Sequence, residues 1–92
     1  MIDSLRNAVL DGMLDGFFGK GLIVTRREMG TNFPEFAKNY TGCFLSNSEM
    51  ITGTHSPTYK HFTQRITEGV YRVHPEALAA RLKEREQTSA PL

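Results

Sequence analysis

Apolar residues recur every three or four positions along the start of the chain. Ile2, Leu5, Val9, Met13 and Phe17 form one stripe, flanked by Leu10, Leu14 and Phe18. That period predicts a helix with one buried face, and Asp3 or Ser4 offers a cap for its start. Gly12 and Gly16 each cost such a helix about 1 kcal/mol relative to alanine, so packing, with a neighbour close to the backbone, is expected to sustain it. Gly19 and Gly21 are expected to end it. Leu22, Ile23 and Val24 form a short β-like run. Thr25 followed three residues later by Glu28 is a capping box, which opens a second helix within TRREMGTNFPEF (25–36), kept short by Gly30 and Pro34. A third helical segment, NYTGCFLSNSEM (39–50), has Asn39 or Thr41 as its cap. A helix over 40–48 would turn Phe44 and Leu45 toward the first helix and leave Ser46 and Asn47 near the surface.

After the polar loop TGTHSPT the rhythm changes to alternation. Phe62, Gln64 and Ile66 share one face of a strand and His61, Thr63 and Arg65 the other, while Val70-Tyr71-Arg72-Val73 is rich in β-forming residues. Glu68-Gly69 supplies the turn of an antiparallel hairpin over 59–74. Pro75 suits the first turn of a last helix, PEALAARLKERE (75–86), with Leu78 and Leu82 on a short stripe around Ala79, and Arg81 and Arg85 one turn apart. Residues 87–92 read as a flexible tail. The predicted class is α+β, mainly α: three helices, a short strand, a β-hairpin and a C-terminal helix, in one domain over 1–86.

That element order resembles the winged helix-turn-helix superfamily over roughly residues 2 to 74. VTRREM, NYTGCFLSNSEM and SPTYKHFTQRITEGVYRV are similar to the helix-two, recognition-helix and wing parts of small winged-helix DNA-binding proteins. The resemblance implies a stand-alone transcriptional regulator that places a recognition helix near 39–50 in the major groove of double-stranded DNA, beside a hairpin wing near 59–74. Carried onto this chain, Asn39, Ser46 and Asn47 would reach base edges and Thr41 a phosphate. The third segment holds no arginine or lysine between Asn39 and Ile51. Positioning contacts would therefore come from Arg26, Arg27, Lys38, Lys60, His61, Arg65 and Arg72. A homodimer through helix one or the C-terminal helix would double these contacts. Winged-helix surfaces also serve contacts between proteins, so the alternative is a protein-binding module, such as a phage or mobile-element inhibitor of a host complex.

Bulk composition sharpens that choice. The 92 residues carry 11 Lys and Arg against 10 Asp and Glu, a net charge of +1, so a nucleic-acid partner requires a local basic face. Asp3, Asp11 and Asp15 gather acid on helix one, away from the proposed face. Cys43 is the single cysteine, which excludes an internal disulfide and fits a reducing compartment; it reads as a small packed residue or an unpaired thiol at an interface. No apolar run approaches the ~18 residues of a membrane span, and no cleavable leader is visible, so the expectation is a cytoplasmic protein. Cys43 with His55, His61 and His74 lacks local chelating spacing, and no nucleophile motif accompanies the serines. Neither a metal, a cofactor nor an enzymatic role is expected.

Overall fold

The computed structural model of the protein describes residues 2–89, with the side chains of 5–87. Helix α1 (Ile2–Leu14) buries Leu5, Val9 and Leu10 completely; Ile2 and the expected Asp3 or Ser4 cap lie outside the described side chains. The helix ends at Gly16 rather than at Gly19 or Gly21. Gly16 takes φ 82°, its N–H donates to Met13 O at 3.2 Å, and the Phe17 N–H donates to Gly12 O at 2.9 Å. These two bonds are the Schellman closure that satisfies a helix's last carbonyls. Phe17 consequently leaves the stripe and is 77% exposed. Phe18 folds back so tightly on Gly12 that a Cβ there would lie 2.3 Å from its ring, which explains that glycine by close approach.

A 3-10 turn (Lys20–Leu22) leads into strand β1 (Ile23–Thr25) and helix α2 (Arg26–Asn32). The predicted capping box is present. Glu28 N–H donates to Thr25 Oγ1 at 3.0 Å, and Thr25 N–H donates to Glu28 Oε1 at 2.9 Å. Helix α2 buries Met29 and stops at Phe33, the residue that Pro34 disfavours from helical geometry. Helix α3 (Lys38–Asn47) is capped by Ala37, which offers no side-chain bond, so neither Asn39 nor Thr41 serves as the cap. Phe44 and Leu45 are buried, as predicted, in one core cluster with the α1 residues Leu5, Val9 and Leu10. Backbone packing of α3 is chiefly on α2 and on the strand that follows.

The hairpin is formed by β2 (Thr63–Thr67) and β3 (Val70–Val73), and β1 completes an antiparallel sheet of order β1-β3-β2. Gly69 takes φ 74° in the two-residue turn, a conformation that suits glycine. The facing of β2 differs from the simple alternation. Phe62 is buried but precedes the strand, while Gln64 and Ile66 are exposed; Thr63 is the strand's fully buried residue. It pairs with Val73, and its hydroxyl donates to Leu45 O at 2.8 Å, so a polar side chain fills the core position by satisfying a helix carbonyl. Helix α4 (Pro75–Ser89) extends three residues beyond the expected 75–86; residues 90–92 of the expected tail lie outside the described residues. It lies against α1, with Ala77 buried, Leu78 packed on the core and Leu82 exposed. The class is α+β, mainly helical. Among the described residues no helix is long and apolar enough to cross a membrane.

Candidate nucleic-acid interface

Three chain segments meet at one open groove of about 800 Å³: the start of α2, the start of α3 and the Glu68-Gly69 turn. Their convergence is fixed by backbone bonding, because Arg26 N–H donates to Gly69 O at 2.9 Å and so ties the hairpin turn to the first residue of α2. Arg26, Arg27 and Lys38 line the groove together with the apolar Phe33, Pro34 and Phe36. All three cations are exposed. The uncapped start of α3 adds its own N–H groups to this edge, with their partial positive charge.

The other expected site residues fall into further groups. Asn39 is exposed on the first turn of α3. Thr41, expected to reach a phosphate, is 3% exposed, and its hydroxyl donates to Lys38 O at 3.1 Å; it forms part of the groove wall and has no free hydroxyl to offer. Its placement follows from helical spacing, since residue 41 lies three and four positions before Phe44 and Leu45 and so shares their inward face. Ser46 is exposed and donates to Cys43 O at 3.0 Å, which leaves its lone pairs as acceptors. Asn47, at the end of α3, shares a smaller pocket of about 150 Å³ with Tyr40, Phe44, Lys60 and His61. His61 is half-buried, with its N–H donating to Thr58 Oγ1 at 2.9 Å. Arg65 and Arg72 are exposed on the hairpin and line neither of these pockets. Of the eleven sequence-predicted residues, four line the groove, three share the smaller pocket, and Asn39, Ser46, Arg65 and Arg72 line neither. Cys43 is exposed on α3, which rules out the packed reading.

Electrostatics divide the molecule. On the side where α1 meets α4, Arg81 binds Asp11 through two bonds, Nε to Oδ1 at 2.8 Å and Nη2 to Oδ2 at 2.9 Å, and reaches Glu84 at 3.0 Å. Arg85 meets Asp15 at 3.0 Å. Arg6, 4% exposed, lies 3.8 Å from Glu84 and stacks over the Tyr59 ring at 4.0 Å. The hydrogen bond from Arg81 holds the Asp11 carboxyl below its usual range against the opposing effect of burial, and the same bond raises Arg81 further above ordinary titration. Outside this helix pair, no carboxylate among the described residues pairs with the side chains of Arg26, Arg27, Lys38, Lys60, Arg65 or Arg72. Two nearby acids are already engaged: Glu28 closes the capping box, and Glu49 Oε2 accepts from Arg65 N–H at 3.0 Å.

Sequence reasoning missed the apolar part of the groove and its two helical glycines, Gly30 and Gly42, both of which line it. A glycine inside a helical pattern was the available signal, but it does not say which side of the helix is bare. No group of three His, Cys, Asp or Glu side chains suited to a metal ion occurs among the described residues. Comparison of the chain with protein-family models, with curated proteins and with solved structures yields no significant match.

Proposed function

We propose that the chain is a small DNA-binding protein of winged-helix type, a transcriptional regulator that sets α3 in the major groove of double-stranded DNA with the β2–β3 hairpin beside it as the wing. One observation carries this reading: the arginines of the α1–α4 side, Arg6, Arg81 and Arg85, are paired with carboxylates, with Lys83 of α4 left unpaired among the described residues, while no Lys or Arg described around α2, α3 and the hairpin is paired. Residues 25–74 hold six Lys and Arg against four Asp and Glu, and the remainder holds five against six. The segment that forms α2, α3 and the hairpin thus carries a net charge of +2 in a chain of net +1. The element order and the β1-β3-β2 sheet fit the same reading. Asn39, Ser46 and Asn47 are its base-reading groups, and Arg26, Arg27, Lys38 and Lys60 its phosphate contacts.

Fluorescence anisotropy with labelled duplexes over a range of salt tests it. Substituting Arg26, Arg27 or Lys60 by glutamine should lower the slope of log K against log salt by about 0.9 per lost contact on every sequence. Asn47→Ala should cost ~1–3 kcal/mol on the preferred site and little on random DNA. Absence of duplex binding at low salt, or four variants that bind like the native chain, ends this reading.

A protein partner is the second reading, favoured by Phe33, Pro34 and Phe36 in the groove and by Glu68 at its edge, an acid poorly placed for a phosphate. It describes a module that blocks a host complex. It takes over if no duplex binds. A homodimer would use the outward side of α4, where Leu82 is exposed, because the stripe of α1 is consumed in the core. Sedimentation with and without a two-half-site duplex distinguishes one copy from two.

A further inference from the structure

The chain contains eight glycines, and six have a visible structural reason. Gly16, Gly19, Gly21, Gly53 and Gly69 take positive φ, and Gly12 lies under the Phe18 ring. Gly30 and Gly42 have neither. Both sit inside helices, neither takes positive φ, and a Cβ at either position would meet nothing within 4 Å. Glycine in a helix interior is destabilising relative to alanine, so the fold alone would be better served by a side chain at both places. What the two share is the groove: both line it, one on α2 and one on α3, between the rims carrying Arg26, Arg27 and Lys38. Bare backbone on two facing helices allows close approach by something outside the chain.

We propose that this groove seats the sugar–phosphate backbone of one nucleic-acid strand, with Gly30 and Gly42 as positioning residues that let the strand reach the helix surfaces. The proposal deepens the DNA reading and rests on it. Charge selects the occupant: three exposed cations without carboxylate partners border the groove, and an anionic strand complements them. The exposed Pro34 and half-buried Phe36 suit the sugar faces between successive phosphates. Because contacts of this kind carry no base information, the site contributes equally to every sequence. Specificity would then lie with Asn39, Ser46 and Asn47, none of which lines the groove.

The test sets stability against binding. Gly30→Ala and Gly42→Ala should each raise Tm, by up to about 4–8 °C for a domain of this size, because a better helix former replaces glycine in open space. The same variants should bind all duplexes more weakly, with the salt slope falling by about 0.9 for each phosphate contact displaced. Gly42→Leu should weaken binding more than Gly42→Ala, whereas Ala79→Leu on α4, outside the groove, should bind a duplex with a single half-site like the native chain. Opposite movement of Tm and affinity, graded by side-chain size, supports the proposal. If the native chain binds duplex and the glycine variants match it, the groove assignment fails while the DNA reading stands. If Tm falls along with affinity, the glycines serve the fold and the proposal fails. If the native chain binds no duplex, the DNA reading itself is lost, and this proposal goes with it.

Discussion

The two sides of this small domain use arginine in opposite ways. Between α1 and α4, Arg6, Arg81 and Arg85 are each within reach of a carboxylate, and their chemistry is spent on holding two helices together. Around the groove, Arg26, Arg27 and Lys38 are exposed and none is paired with a carboxylate among the described residues, although Glu68 lines the same groove. Net charge cannot reveal such a division; placement can. An arginine with a fork of bonds to a neighbour is part of the scaffold, and one without is available to a ligand.

The comparison can be tested from its deepest support outward. Leu45→Ala should cost ~2–5 kcal/mol in chemical denaturation, because the residue is 2% exposed and anchors α3, on which the external side is built. A cost near zero would mean that α3 is not held by its inner face, and the contrast between the sides would lose its frame. Gly69→Val comes next, at roughly 1–3 kcal/mol, since the turn takes φ 74° and a branched side chain there is strained.

Asp11→Asn should cost about 1–2 kcal/mol, between the values of exposed and buried pairs, and leave duplex binding intact. It should also change the acid limb of stability. The folded-state pKa of Asp11 is lowered from 3.8, so its contribution is present above that value and is lost as pH falls through the lowered one. The native chain should therefore lose stability on acidification below about pH 4 more steeply than Asp11→Asn does, as circular dichroism melts across that range would show. Arg26→Gln should have the smallest effect on stability, within about 0.5 kcal/mol, while altering salt-dependent binding. A reversed pattern, with Asp11→Asn disturbing binding and Arg26→Gln disturbing the fold, would dissolve the division.

Much of the architecture was written locally. Thr25 and Glu28 announce α2 because both partners of the capping box lie within four residues, and Gly69 announces the hairpin turn because β-forming residues flank it. Elements were misjudged where two local signals competed. Phe17 and Phe18 continue the helical stripe of α1, yet Gly16 closes the helix before them. Asn39 and Thr41 are good capping residues, yet α3 starts before both from an alanine; Thr41 is then a helical residue one turn before Phe44 and Leu45 and shares their inward face. The candidate site was less legible than the fold. Arg81 and Asp11 are seventy positions apart, so no local spacing links them. Which cations are engaged and which are free depends on tertiary packing alone.

The bond from Arg26 N–H to Gly69 O has a consequence for the cost of recognition. A hairpin held only at its base would swing, and binding would have to restrict it, with an entropy penalty set against affinity. Here the turn is fastened at its tip to the first residue of α2, so the spacing between hairpin and helix is set before any partner arrives. A strand seated there, as proposed, would meet a spacing already set, so the ordering cost of binding would fall on the nucleic acid and not on the hairpin.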